Sequence, residues 1–353
     1  MSTTENKLSF SSDYMEGAHP HIIQRLVETN LVSSAGYGTD EFSEAARERI
    51  RTACGCPDAE IHFLVGGTQA NATVIDALLR TYQGVIAPDT GHISLHEAGA
   101  IEAGGHKVLT LPHTLGKISA GQIEEMLEEY RGDLNHEHMV MPGMVYLSQP
   151  TEYGTLYSHK ELQKISRVCR ENGLPLYMDG ARLAYALACP ENDLSLADIA
   201  GLCDVFTIGG TKCGALFGEA VVIPKKGRIP GFFTIVKQHG ALLAKGRLLG
   251  IQFDELFRDH LYEHIGESAI NFAGQIRAAW KQCGFRLYYE TPTNQVFCII
   301  KNSEMKRLAE RVEFGFWEKY DEDSTVIRLA TSWATREENV RGLMRIFPGL
   351  QGE

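Results

Sequence analysis

The chain has 353 residues, 44% of them apolar and 22% charged, and carries a net charge of −11; that length allows more than one hydrophobic core in a soluble globular protein. The acidic balance works against nucleic acid and anionic membranes, no basic stretch suited to reading a phosphate backbone occurs, and no apolar run reaches the about 18 residues of a membrane span. MSTTENKLSF lacks a basic segment followed by an apolar one, so a secretory leader is not expected. Eight scattered cysteines, of which only Cys54 and Cys56 are close and in C-G-C spacing, read as reduced thiols of a cytoplasmic protein and not as a zinc or redox pair.

His19-Pro20-His21 opens a helix, given proline's place in a first turn. EIHFLV (60–65) reads as a strand and TQANATVIDALLRTY (68–82) as the helix after it. GVIAP (84–88) and HKVLTL (106–111) are further strands, with a helical HISLHEAGAIEAG between them. MVYLSQ (144–149), LPLYMD (174–179) and DVFTIGG (204–210) are continuous apolar strands, separated by helices near 158–172 and 181–201. Strands buried on both faces and spaced by helices imply a doubly wound, mostly parallel α/β sheet. EAVVIP (219–224) follows too closely for a crossover helix and is expected to pair antiparallel. Residues 228–282 read as mainly helical. Beyond Cys283 come strands near 285–289, 295–300 and 325–330 and helices near 303–313 and 336–346, the pattern of a smaller α+β domain. The expected division is an N-terminal arm (1–20), a large α/β domain (21–254) and a small C-terminal domain (255–353).

Three segments carry chemistry. In GGTQAN (66–71) two glycines close a strand and Thr68 stands where a helix begins. Free N–H groups and the helix dipole favour an anion there, and Gly66 and Gly67 would let a phosphate approach closely. The turn is neither G-x-G-x-x-G nor a Walker loop, which argues against a dinucleotide or nucleoside triphosphate. LPLYMDGARL ends a buried strand on Asp179, at the edge where open α/β sheets bind ligands. A carboxylate there can keep a pyridine nitrogen protonated, and Arg182 can reach a phenolate or a substrate carboxylate. DVFTIGGTKCGALFG then sets Lys212 just past another strand among Gly209, Gly210, Thr211, Cys213, Gly214 and Ala215. Desolvation lowers an amine's pKa and favours the neutral nucleophile that forms a Schiff base. An acid at one strand end and a lysine at the next are what pyridoxal 5'-phosphate requires.

FSSD, YGTDEF, GGTQAN, GHISLHEAGA, DGARL, GGTKCGA and VIRLAT occur in the order found in the L-threonine aldolase/β-eliminating lyase family, which the chain resembles from about Phe10 to Arg328. The resemblance implies a PLP-dependent transferase-like fold (fold type I) and assigns roles by position. Lys212 would bind pyridoxal 5'-phosphate as a Schiff base, Asp179 would pair with its ring nitrogen, and Arg182 would contact its phenolic oxygen or the substrate carboxylate. Gly66, Gly67 and Thr68 would hold the phosphate and His92 would stack on the ring, with His96 near the substrate. Ser12 and Arg328 would bind the α-carboxylate. Tyr37, and Arg247 with it, would come from a neighbouring subunit, so a homodimer or homotetramer with shared active sites is expected. Where many relatives carry a histidine after the strand at 144–149, this chain has Thr151 and Glu152, and Glu152 becomes a candidate base or water-holder. The implied reaction is cleavage of a β-hydroxy-α-amino acid such as L-threonine or L-allo-threonine to glycine and an aldehyde. β-Elimination or transamination of another amino acid is the alternative. His136, His138, His260 and His264 lack an accompanying ligand motif, so no metal is expected.

Overall fold

The structure, a computed structural model, describes residues 7–351; residues 1–6 of the expected arm and 352–353 of the expected C-terminal domain lie outside them. Among the described residues eleven strands occur: β1 (Leu8–Phe10), β2 (Glu60–Leu64), β3 (Gln83–Pro88), β4 (Lys107–Leu111), β5 (Met141–Ser148), β6 (Leu176–Asp179), β7 (Val205–Gly209), β8 (Glu219–Ile223), β9 (Gln295–Lys301), β10 (Val312–Lys319) and β11 (Ser324–Ala330). Seven form one sheet in the order β2-β8-β7-β6-β5-β3-β4. Its β4-β3-β5-β6-β7 stretch is parallel. As the short connection from β7 requires, β8 runs antiparallel to β7, and β2 antiparallel to β8. The parallel strands end toward one edge, and the loops leaving that edge carry the chemistry.

Apolar cores cover both faces of this sheet. One gathers Leu147, Met178, Phe206 and Val222 with Phe253, Tyr262 and Ile270, and the other gathers Tyr146, Tyr177 and Val221 with Val74 and Phe232. The alternation within β5 and β6, one residue to each core, follows from the period-two geometry of a strand. A third core unites Phe10 with Trp280, Val296, Ile327, Leu343 and Phe347 under the four-stranded sheet β1-β10-β11-β9.

Several expected boundaries are corrected. The segment 92–104 forms two short helices, His92–Leu95 and Ala100–Ala103, because Ala98 (φ 50°) and Gly99 (φ 72°) take left-handed backbone between them. The helix expected over 181–201 is likewise two, Leu183–Leu187 and Leu196–Leu202, parted around Pro190, which cannot continue a helix. The helix expected over 68–82 runs from Gly67 and stops at Leu78, with Leu79 already extended. Residues 285–289 make a single bridge, Leu287 with Cys298, and no strand. The helix expected to 313 ends at Ala309, after which VEFGFWEK, rich in aromatic and β-branched residues, forms β10. Three-residue β1 is too short to show a period.

Candidate active site

Lys212, Asp179, His92, Glu152 and Arg182 line a narrow cavity together with Gly67 and Asn71. It opens into a mouth of about 460 Å³ bordered by His96, Arg328, Tyr14, Tyr153 and Trp317. A larger groove of about 770 Å³, between Arg49 and His260, contains none of these groups.

At one end of the cavity the helix Gly67–Leu78 begins with Gly66 as its cap residue and no side-chain cap bond. Its first-turn N–H groups therefore stay available to an anion. A Cβ at Gly66 or Gly67 would meet nothing within 4 Å, so the approach is open. Thr68 is exposed beside them. Another wall comes from the Lys212 loop, into which β7 runs. Bonds from Gly210 N (2.9 Å) and Thr211 N (3.1 Å) to Gly218 O fold that loop back onto β8, and Tyr185 OH donates to Lys212 O at 2.6 Å. Burial, and then the charge of Arg182, lower the Lys212 amine below the usual lysine value, which favours its nucleophilic form.

Asp179 closes β6. Its Oδ2 accepts from Asn71 Nδ2 (3.0 Å) and Tyr146 OH (2.8 Å), and its Oδ1 from Ala181 N (2.9 Å). Asn71 also donates to Glu97 Oε1 (2.7 Å), which meets His92 Nδ1 at 2.7 Å. Tyr146 OH accepts from Ser148 Oγ (3.2 Å), which also lies 2.7 Å from Glu152 Oε1. Glu152 Oε1 in turn accepts from His92 N at 2.9 Å. The result is a closed circuit through His92, Glu97, Asn71, Asp179, Tyr146, Ser148 and Glu152. Ring, acid and loop carboxyl are thereby held in fixed relation, each member of the circuit bonded to the next. Glu152 Oε2 stays buried without a hydrogen-bond partner, and burial raises its carboxyl above the ordinary glutamate range. His96 lies 5.7 Å from the His92 ring; burial, His92 and Arg328 lower its pKa.

Arg182 is committed to an acid the sequence reading passed over. Its Nε and Nη2 reach Asp13 Oδ2 (2.6 Å) and Oδ1 (3.0 Å), while Asn294 Nδ2 donates to Asp13 Oδ2 at 2.9 Å. Arg328 donates to Gln295 Oε1 (3.1 Å) and Ser11 O (3.0 Å). Its Nε and the Ser12 hydroxyl are buried without hydrogen-bond partners among the described residues. Two orphaned buried donors suit a carboxylate that arrives with substrate. Tyr37 and Arg247 do not line this cavity within the chain. Lys237 Nζ stands 4.6 Å from the Tyr37 ring centroid. Arg247 binds the Thr29 and Val32 carbonyls and packs 4.9 Å from the Phe42 centroid.

Asp13, Asn71 and Glu97 all lay inside recognised motifs, in FSSD, GGTQAN and GHISLHEAGA, and that was the available signal. Tyr146 and Ser148 could have been found from strand alternation, which turns positions 146 and 148 to the same face of β5. Glu219, at the head of β8, had no motif to mark it.

The residues present fit pyridoxal 5'-phosphate: an uncapped helix start for its phosphate, a carboxylate for its ring nitrogen, and an amine lining the same cavity.

The chain is similar to known proteins over nearly its whole length. The low specificity L-threonine aldolase of Pseudomonas aeruginosa is 31% identical, over 97% of each chain. The solved Leishmania major threonine aldolase is 43% identical with a TM-score of 0.94, over 97% of this chain and 99% of that one. The aspartate aminotransferase of Thermus thermophilus shares the fold alone, at 15% identity and a TM-score of 0.71, over 98% of this chain and 92% of that one. Residues 9–286 match the family described as beta-eliminating lyase. With that match spanning most of its length, the chain belongs to the beta-eliminating lyase family.

Proposed function

We propose that the protein is a pyridoxal 5'-phosphate-dependent carbon–carbon lyase that cleaves L-threonine, L-allo-threonine and related β-hydroxy-α-amino acids to glycine and an aldehyde. The observation that carries this reading is the convergence of Lys212, Asp179 and the start of the Gly67 helix on one cavity. The bound cofactor supplies an electron sink for the pair released at Cα. Asp179 would keep its ring nitrogen protonated, and the His92 ring, fixed by Glu97, would offer it a flat face. Lys212 would hold the cofactor through its amine and, once freed by the substrate amino group, would return a proton to Cα.

Arg328 and Ser12, with their unpartnered donors, bind the α-carboxylate and so orient the scissile bond. Glu152 accepts the β-hydroxyl proton at Oε2. His96, at the cavity mouth, faces the aldehyde side. Incubation with L-threonine, L-allo-threonine and L-serine tests the reading: glycine and the matching aldehyde are expected, whereas ammonia with the 2-oxo acid of unchanged carbon number would overturn it.

Two substitutions follow. Arg328→Ala is expected to raise KM for L-threonine about 10²-fold with a smaller change in kcat, the mark of lost ground-state binding. Glu152→Gln keeps the shape and removes the base; kcat is expected to fall about 10²-fold. Because burial raises the Glu152 carboxyl, the wild-type acidic limb of kcat lies above the ordinary glutamate range: activity is lost as pH falls through that raised value. In the glutamine variant this limb disappears from the pH profile.

The assembly we infer is a homodimer or homotetramer. Tyr14, Met15, Ile23, Val27, Leu31 and Val32 expose apolar surface, with Tyr14 at the cavity mouth, and the exposed Tyr37 is the side chain offered to a neighbour's site, whereas Arg247 is engaged within its own chain. No helix among the described residues is long and apolar enough to cross a membrane. All eight cysteines are free, which supports a cytoplasmic setting.

A further inference from the structure

We infer that Glu219 is a positioning residue whose carboxyl sets the proton balance at the Lys212 nitrogen; this inference rests on the cofactor-binding role given to Lys212 above. Glu219 pairs in register with Gly209 on one side and with Leu64 on the other. It therefore sits at the root of both loops that reach the cavity, the Lys212 loop from β7 and the Gly66-Gly67 turn from β2. The Lys212 loop is latched over it: Gly218 N donates to Thr211 Oγ1 at 3.0 Å, and Gly218 O, one residue before Glu219, accepts from Gly210 N and Thr211 N.

The side chain is only 3% exposed, and its Oε2 has no hydrogen-bond partner among the described residues. Burying a carboxyl oxygen unpartnered is costly, and strand packing at this position would be served as well by an apolar residue. Its electrostatic surroundings suggest why an acid is kept. Lys212 is the cation acting on it and Asp179 the nearby anion, while the Cys213 thiol and the Tyr177 and Tyr262 phenols lie within its field. Lys212 is in turn acted on by Arg182, which disfavours its charge, and by Asp13, Glu219 and Asp179, which favour it. Burial, opposed by Lys212, leaves Glu219 pushed up to about 8. Its charge therefore changes close to neutral pH: the ionised form supports a protonated nitrogen at Lys212, and the neutral form withdraws that support.

The test is the pH midpoint of the visible absorption change of the full-length, cofactor-loaded protein, which reads protonation at the Lys212 nitrogen and needs no turnover. Glu219→Gln is expected to lower this midpoint by about one pH unit or more, the usual effect of removing an opposite charge at close range. Glu219→Asp, which draws the charge back, is expected to lower it by less, and serves alone should the glutamine variant not fold. An unmoved midpoint, even alongside weaker loading or a lower Tm, would mean that Glu219 only packs and would overturn the inference. Absence of any visible band from the parent protein would instead overturn the functional reading itself.

Discussion

Lys212→Ala is expected to lower aldol cleavage by about 10⁴-fold, the upper range for losing a group that supplies both nucleophile and proton transfer. The fold should tolerate the change. The bonds that shape the loop come from main-chain groups at Gly210, Thr211, Cys213 and Ala215, and Tyr185 donates to the Lys212 carbonyl, which alanine retains. A far-ultraviolet spectrum and Tm close to the parent's would separate chemistry from folding. Lys212→Arg is the sharper control, because a guanidinium keeps the positive charge but does not give up its proton to act as an amine nucleophile. It should be as inactive as the alanine variant. Borohydride reduction of the cofactor-loaded parent should fix the label on the peptide bearing Lys212. A label on another lysine, or cleavage activity preserved in the arginine variant, would remove the basis of the proposed chemistry.

Lys212 and Asp179 were legible before any coordinates because a strand end is a local signal. A buried apolar run that stops on an acid, or on a lysine among glycines, marks the edge where an α/β sheet meets its ligand. The antiparallel β8 was legible for a similar reason, since the nine residues between Gly209 and Glu219 leave no room for a crossover helix. The circuit behind them was not. Asn71 meets Glu97 and Asp179 across 26 and 108 residues, so its role exists only once β6 and the Gly67 helix are packed together. The boundaries that failed depended on single backbone events, such as Ala98 turning left-handed or Pro190 ending a helix, which hydrophobic periodicity averages away. β10 was misread because the end of a helix and the start of a strand share the short segment around Glu310 and Arg311, where neither period has repeated enough to be seen.

Asp13 shows how such long-range meetings govern stability as well as chemistry, and Asp13→Ala is expected to destabilise the protein by about 3–5 kcal/mol at pH 7, as when one partner of a buried ion pair is removed. The carboxylate is 1% exposed, paired through two hydrogen bonds with Arg182 and held by Asn294 from the loop before β9. Alanine would leave the Arg182 guanidinium buried beside Lys212 and Arg328 with its counter-charge gone. Burial alone would raise the Asp13 carboxyl, but the charge and hydrogen bonds of Arg182, aided by Lys212 and Arg328, outweigh it and hold the group well below the usual carboxylate range. A depressed folded-state value fixes the sign of the pH dependence. The stabilisation is fully present above the unfolded aspartate value of about 4 and is lost as pH falls below it toward the folded value. Urea denaturation of parent and variant should therefore show a wide gap at neutral pH that narrows in acid. A gap that stays constant across that range would mean that the lost stability comes from packing. Asp13→Asn, which keeps the size but not the charge, should fall between the two, and because it loosens Arg182 at the cavity wall it should also raise KM for the amino acid. A change in stability without any change in KM would confine Asp13 to the scaffold and leave Arg182 correctly placed without it.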